Sequence, residues 1–265
     1  GGTTTDIAIM TDGKPEVASA GARVGDWQPM VETVKVYSIG LGGDSEVRFH
    51  AGRIALGPRR VIPLSLLAQQ YPQVISLLKT QLADIPSPRH NRFVSRLEYN
   101  QALINRLTVT ELKAWEILEQ GPIDMETLVL NDKPLAKAMA RLERLGIVIY
   151  SGFTPSDAAH VLDKSNHWNQ SAAVLAAGIW VRQMRHLYGY GKWTQGDIKA
   201  ASKQVFQLMH DHIYQTLIEA GLHQEDLLHQ AKAHQLAKLI GNLTLRYGKA
   251  DHHHTLFGIN FCKSQ

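Results

Sequence analysis

The sequence predicts an α/β protein in which a strand-rich first part precedes a mostly helical remainder. Within residues 1–62, short runs of alternating apolar and polar residues are separated by glycine-containing turns, which is typical of antiparallel strands. After Pro63 the apolar residues recur every three or four positions, as they do along helices. A polar, proline-bearing segment at 84–92 interrupts this spacing and is the best candidate for a boundary. We therefore expect three parts: 1–83, which is β-rich; 84–152, an inserted segment; and 153–265, a helical remainder.

The composition is that of an ordinary globular protein. Of the 265 residues, 44% are hydrophobic and 20% are charged, and the net charge of +4 neither requires a nucleic-acid partner nor excludes one. The single cysteine, Cys262, excludes an internal disulfide framework and favours a reducing cytoplasm. The sequence shows no signal peptide and no apolar run near 18 residues, so we expect a cytoplasmic protein without a membrane span. Because it starts without Met, on a glycine loop that lacks a preceding strand, we also expect a fragment of a longer protein.

The most informative stretch is the polar loop at the start of the chain. It consists of Gly1, Gly2, Thr3, Thr4, Thr5 and Asp6. Glycines let backbone N–H groups approach an anion, hydroxyl groups suit phosphate oxygens, and a carboxylate suits Mg²⁺ or a positioned water. The apolar run 7–10 predicts a strand, and the Asp-Gly pair within 11–15 predicts a hairpin turn. Taken alone, a Gly-Gly-Thr sequence is more often an ordinary turn, and the P-loop pattern GxxxxGK[ST] is absent.

A second glycine-rich loop occupies residues 40–45, between two predicted strands. The run 34–39 alternates with β-branched residues, and the run 46–50 alternates again before a turn at 51–53. Antiparallel strands joined by tight turns would bring both glycine loops to one rim. The second loop therefore adds candidates for the same phosphate site: Gly42, Gly43, Asp44 and Ser45.

Residues 108–153 have the pattern of a compact helical unit. Thr108 and Glu111 have the spacing of a capping box at the start of a first helix. A short helix around 124–129, a third helix at 133–145 and a strand pair beginning at 147–150 are predicted next, which is the pattern of a winged helix. The third helix would then face DNA with its basic residues, which are Lys133, Lys137, Arg141 and Arg144. A plain packing module explains the same pattern, and we do not expect a nucleic-acid partner.

The remaining sequence is predicted to be helical. Thr154 and Asp157 have the positions of an N-cap and of the acid three residues later, so capping explains them, although such a helix start could also border an anion site. Long helices are predicted at 172–187, 197–220 and 226–240. The run His252–His254 could bind a metal but has no acidic or thiolate partners in a recognised pattern.

Three motifs, taken together and in this order, resemble the hydantoinase/oxoprolinase family, and specifically its hydantoinase A domain. They are Gly1–Asp6, then Ser38–Ser45 with Leu56–Arg60, then Phe153–Ala158. The resemblance covers residues 1–64 and about 150–190, whereas 65–150 look like a helical insertion. At the third motif this chain reads TPSDA where the family more usually has TPTDA, so Ser156 is a conservative departure.

The resemblance implies one lobe of an actin-like ATPase fold, which is a ribonuclease H-like α/β fold, with an inserted winged-helix-like segment and a helical C-terminal part. It implies an enzyme that uses ATP and Mg²⁺ to activate a lactam or a small cyclic amide for hydrolysis, as in 5-oxoproline or N-methylhydantoin hydrolysis. In such folds two lobes each supply a phosphate hairpin, and Gly1–Asp6 matches the hairpin of the second lobe. The partner would be the first lobe, or a subunit that carries it, so we expect this chain to be inactive alone.

The resemblance also implies roles for the loop residues. The N–H groups of Gly1, Gly2 and Thr3 would face the β- and γ-phosphates, and the hydroxyl groups of Thr4 and Thr5 would add to them. Asp6 would be the catalytic carboxylate and would hold Mg²⁺, directly or through water. Two alternatives remain at this point: a transcriptional regulator that joins a DNA-binding winged helix to a sugar-kinase-like domain, and a non-catalytic scaffold.

Overall fold

The computed structural model describes residues 3–8, 10–11, 14–15, 17–18, 33–34, 36–97, 101–193 and 197–224. These residues form helices and small sheets, which confirms the predicted α/β class. They divide into two compact units: unit 1 takes Gly1–Gly43 and Leu208–Gln265, and unit 2 takes Asp44–Gln207. None of the helices within the described ranges is long and apolar enough to cross a membrane. The predicted boundaries after residues 83 and 152 stay predictions.

Unit 1 contains short paired strands. Those that the structure describes are β1 (Thr5–Ala8), β2 (Met10–Thr11), β3 (Lys14–Pro15), β4 (Val17–Ala18), β5 (Thr33–Val34) and β6 (Val36–Ile39). β1 runs antiparallel to β6, with Asp6 opposite Ser38. β2 pairs with β3 so that Thr11 faces Lys14, which confirms the predicted hairpin around the Asp-Gly pair. The pairing of β1 with β6 is the first contact that sequence spacing alone does not give.

A long hairpin opens unit 2. Its strands are β7 (Ser45–His50) and β8 (Arg53–Arg60), antiparallel and with a register shift between Ser45 and Val47. The turn residues Ala51 and Gly52 have φ values of 49° and 76°, the left-handed backbone that a two-residue hairpin turn requires. The predicted turn is confirmed, and the strand that follows it extends to Arg60, which pairs with Ser45.

A four-stranded sheet joins distant parts of unit 2. Its strands are β9 (Ile62–Pro63), β10 (Phe93–Arg96), β11 (Ile123–Asp124) and β12 (Val148–Gly152), in the order β11-β10-β12-β9. β10 is antiparallel to β11 and β12, whereas β9 is parallel to β12. The strand after the third predicted helix is therefore paired with strands that precede the helices, and not with a following strand as predicted. Periodicity missed β10, since four residues carry little periodic signal.

Along the chain, the helices of unit 2 come between these strands and after the last of them. They are α1 (Leu64–Gln70), α2 (Val74–Ala83), α3 (Gln101–Ile104), α4 (Val109–Glu116), a 3₁₀ turn (Ile117–Gln120), α5 (Met125–Asn131), α6 (Lys133–Arg144), α7 (Pro155–Val161) and α8 (Gln170–Tyr188). One core joins α4, α5 and α6 to β10 and β12; it includes Val94, Trp115, Met139, Leu142 and Val148. A second group of contacts joins α8 to α1, α2 and α7. The last described helix, α9 (Ile198–Gln224), continues from unit 2 into unit 1.

The predicted helix starts and the long alanine-rich helix are present. Thr108 and Glu111 form the capping box of α4, and Thr154 and Asp157 form that of α7. Along α8, the alanines of one face are fully buried, which lets α1, α2 and α7 approach it closely: Ala172, Ala173, Ala176 and Ala177. The predicted helix 226–240 and the run His252–His254 lie outside the described residues.

Candidate functional site

The pairing of β1 with β6 holds the Asp6 carboxylate between two hydroxyl groups. Thr4 Oγ1 donates to Asp6 Oδ2 at 3.0 Å, and Ser38 Oγ donates to Asp6 Oδ1 at 2.5 Å. The Ser38 hydrogen bond, followed by that from Thr4, lowers the pKa of Asp6 below its usual value. Asp6 is therefore an exposed carboxylate that stays ionised at neutral pH. Sequence reasoning missed Ser38, because only the strand register places it opposite Asp6.

The two threonine side chains next to Asp6 are engaged within the chain. Thr4 donates to Asp6, as above, and Thr5 Oγ1 donates to the carbonyl oxygen of Leu41 at 2.8 Å. The second bond fastens the start of β1 to the glycine loop that follows β6. A phosphate oxygen needs a donor, so both hydroxyl groups would have to turn before they could serve the predicted phosphate site. Their observed role is to fix the loop.

The remaining residues of the first loop are placed only in part. Gly1 and Gly2 lie outside the described residues, so their predicted N–H contacts stay predictions. Thr3 is half-buried in a bend that leads into β1.

The candidates of the second loop fall in both units. Gly42 and Gly43 are buried and belong to unit 1, whereas Asp44 and Ser45 begin unit 2. Asp44 Oδ2 accepts from Arg60 Nε at 2.9 Å, and its carbonyl accepts from Val61 N at 3.0 Å. Asp44 therefore has a structural role, since it closes the end of the β7–β8 hairpin.

Arg59, which belongs to the second motif, also supports this hairpin. Arg59 forms an ion pair with Glu143 and stacks over the Tyr150 ring at 4.7 Å. It also lies 3.8 Å from Glu46, which in turn accepts from Arg92 at 2.6 Å. These alternating charges fasten β8 to α6 and β7 to the segment before β10.

The third motif is explained by helix capping. Asp157 is fully buried and accepts from Leu64 N, Ser65 N and Ser65 Oγ at the start of α1. It also accepts from the N–H and hydroxyl groups of Thr154 at the start of α7. Burial raises the pKa of Asp157, and these donors oppose that rise. The start of α7 is already occupied by the Asp157 side chain, so the capping explanation is the one that the contacts support.

A metal would have to bind at Asp6 with few protein ligands. Within the ranges that the structure describes, no three His, Cys, Asp or Glu side chains form a group that could hold a metal ion. Mg²⁺ commonly binds through one or two carboxylates together with waters and substrate phosphates, which is compatible with a single ionised carboxylate. Asp6 suits that mode of binding.

The comparisons with known proteins bear on the segment that contains Asp6. The first 63 residues match the model of the hydantoinase/oxoprolinase family. The match covers both glycine loops, β1 to β9 and the Arg59–Arg60 pair, but not the third motif or the helices of unit 2. No curated protein and no solved structure matches the chain.

Proposed function

We propose that this chain supplies part of an ATP-dependent hydrolase of the hydantoinase/oxoprolinase type. The observation that carries the proposal is the ionised Asp6, held by Thr4 and Ser38 inside the segment that matches the family. In this proposal the strands of unit 1 belong to one lobe of an actin-like ATPase. The other lobe, or a subunit that carries it, completes the nucleotide cleft.

The proposed reaction uses ATP as a co-substrate for opening a cyclic amide. The amide carbonyl oxygen attacks the γ-phosphorus of ATP, and ADP leaves. Water then adds to the activated carbon, and the C–N bond of the ring breaks as the nitrogen leaves as an amine, which gives an acyl phosphate. A second water hydrolyses this acyl phosphate to a carboxylate, and the former carbonyl oxygen departs with phosphate. Mg²⁺ would neutralise charge on the phosphates. Asp6 would hold that ion, and backbone N–H groups of the glycine loops would orient the phosphate oxygens.

Removal of the Asp6 charge tests this proposal. We expect Asp6→Asn to lower Mg-ATP turnover by about a hundredfold or more, because a positioned charge acts on the phosphoryl-transfer transition state. Calorimetry with Mg-ATP and an assay of phosphate release would be run on the longest natural protein that contains this sequence. Glu119→Gln is the matched control, since Glu119 is an exposed carboxylate outside the matched segment. Unchanged affinity and turnover in Asp6→Asn would reject the role of Asp6, and an absence of any ATP turnover in the natural protein would favour a non-catalytic scaffold.

A second candidate function, nucleic-acid binding, rests on one face of α6. Lys133, Lys137 and Arg144 are exposed, and none of them pairs with a carboxylate among the described residues. Arg141, in contrast, pairs with Glu111 at 2.5 Å. The sheet also lacks the predicted strand pair after α6, since β12 pairs with β10 and β9. This candidate therefore requires that three cations suffice for binding.

A further inference from the structure

The side chain of Ser38 lies beside the Asp6 carboxylate on an open face of unit 1. In the antiparallel pair of β1 and β6, Ser38 is directly opposite Asp6, and side chains of opposed residues project from the same face of a sheet. Both residues are exposed, whereas Ile7, which projects from the other face, is only 8% exposed. Solvent, together with any ion that it carries, therefore reaches Asp6 and Ser38 at one place.

The Ser38 hydroxyl oxygen has lone pairs that no residue uses. The hydroxyl group donates its one proton to Asp6 Oδ1 at 2.5 Å, and among the described residues this side chain makes no other hydrogen bond. A hydroxyl oxygen also carries two lone pairs, which a donated hydrogen bond leaves free. Ser38 can therefore coordinate a cation and keep its bond to Asp6.

The other hydroxyl groups near Asp6 are less accessible or already engaged. Thr4 donates to Asp6 Oδ2 at 3.0 Å, but its side chain is half-buried. Thr5 donates to the carbonyl oxygen of Leu41 at 2.8 Å, and it is half-buried as well. Ser38 is therefore the hydroxyl group that combines exposure with a direct bond to the carboxylate.

The charge at this place favours a cation. No lysine, arginine or histidine within the described ranges forms an ion pair with Asp6, so no side chain there neutralises its negative charge. Carboxylate and hydroxyl oxygens are hard ligands, which Mg²⁺ prefers over nitrogen and sulfur. P-loop enzymes hold Mg²⁺ with the same two kinds of group, a serine or threonine hydroxyl and an aspartate. The pair of Ser38 and Asp6 therefore has the chemistry of a magnesium site.

We propose that the Ser38 hydroxyl oxygen is a ligand of the Mg²⁺ that accompanies ATP, and that Asp6 orients this oxygen by accepting its hydrogen bond. The proposal rests on the function proposed above and adds a second protein ligand to that site. One hydroxyl and one carboxylate leave the other positions around the ion to phosphate oxygens and water, which is the usual arrangement for Mg²⁺.

Replacement of the Ser38 oxygen by sulfur tests the coordination. Ser38→Cys should weaken the binding of Mg-ATP by about tenfold or more, because sulfur is a poor ligand for a hard ion. Binding should recover with Cd-ATP, since a soft ion accepts sulfur. Calorimetry on the longest natural protein that contains this sequence would measure both affinities. All variants would also carry Cys262→Ser, so that the natural thiol does not compete for cadmium.

Three further variants are the controls for the sulfur substitution. Ser38→Ala should weaken Mg-ATP by about tenfold and should not recover with Cd-ATP, because it removes the ligand atom. Ser38→Thr keeps a hydroxyl group and should bind Mg-ATP within about threefold of the natural protein. Ser76→Cys places a thiol at another exposed serine, on α2, and should leave the affinities for Mg-ATP and Cd-ATP unchanged.

The ultraviolet absorption of a cadmium–thiolate bond gives a second measurement, which reports the bond itself. We expect this absorption in Ser38→Cys with Cd-ATP and not in Ser76→Cys. Unchanged affinity for Mg-ATP in Ser38→Ala, or no gain from cadmium in Ser38→Cys, would overturn the assignment of Ser38. If Asp6→Asn alone weakens Mg-ATP, the role of Asp6 stands without Ser38. If Asp6→Asn leaves the affinity unchanged, the site itself is rejected, and this inference with it.

Discussion

At the scale of single residues, the Asp157 carboxylate fastens the starts of two helices. Its oxygens accept from α1 through Leu64 and Ser65 and from α7 through Thr154. The cap within α7 is local, and sequence spacing predicted it. The partners in α1 lie more than 90 positions away in the chain, so no local pattern could indicate them.

Replacement of Asp157 by alanine tests this interpretation. We expect Asp157→Ala to lower the free energy of unfolding by about 3–5 kcal/mol, because it leaves several buried donors without an acceptor. Asp157→Asn should cost less, since one carbonyl oxygen remains. Urea unfolding followed by circular dichroism measures both. Glu119→Gln, the control, should change the free energy of unfolding by less than about 0.5 kcal/mol. A loss of that small size in Asp157→Ala would contradict the proposal that Asp157 fastens the starts of α1 and α7.

At the scale of elements, the start of α4 combines a local cap with a contact from α6. The Thr108 N–H donates to Glu111 Oε2 at 2.9 Å, and Arg141 pairs with Glu111 at 2.5 Å. The backbone bond from Thr108 is the main cause that lowers the pKa of Glu111 below its usual 4.5, and Arg141 adds to it. The sequence predicted the cap, and the packing of α4 on α6 supplied the arginine.

A lower pH should reduce the stability that Glu111 contributes at the start of α4. Because the pKa of Glu111 is lower in the folded state, its stabilisation is present above the unfolded value of 4.5 and is lost as the pH falls through the folded value. We expect Glu111→Gln to be less stable than the natural chain at about pH 6 and to approach it at about pH 3. Urea midpoints across this range measure the difference. Glu116→Gln, an exposed change in the same helix, is the control, and a difference between Glu111→Gln and the natural chain that stays constant with pH would contradict the prediction.

At the scale of the whole molecule, charge bears on the nucleic-acid alternative. The net charge is only +4, and three unpaired cations line the exposed face of α6. Few phosphate contacts give an affinity that falls with salt and is small at physiological ionic strength. A protein that recognises a DNA sequence would need more contacts with phosphates and bases than the exposed face of α6 provides.

We therefore expect no retention of a 20-base-pair duplex in filter binding at about 150 mM salt. Any retention at low salt should vanish as salt rises. The variant with Lys133→Gln, Lys137→Gln and Arg144→Gln would be compared with Lys113→Gln, an exposed lysine on α4. Binding that persists at physiological salt and disappears only in the triple variant would support the DNA-binding alternative.

The sequence by itself determined the features that depend on neighbours in the chain. The hairpin turn at Ala51 and Gly52, the two capping boxes and the α8 helix follow from backbone preferences and from spacing over a few residues. The first glycine loop could be recognised for the same reason, because its residues are consecutive in the chain. It lies within residues 1–63, which match the model of the hydantoinase/oxoprolinase family.

Only the tertiary structure decided which distant residues meet. The register of β1 and β6 placed Ser38 on Asp6, and the parallel pairing of β9 with β12 joined segments some 90 residues apart. A cavity within unit 2 is formed in the same way, because the residues that line it, among them Arg48, Asn91 and Trp180, come from separate segments of the chain. Such contacts depend on how complete helices and strands pack against one another. That packing is set by the burial of whole apolar faces, and a short stretch of sequence does not specify which other face it will meet.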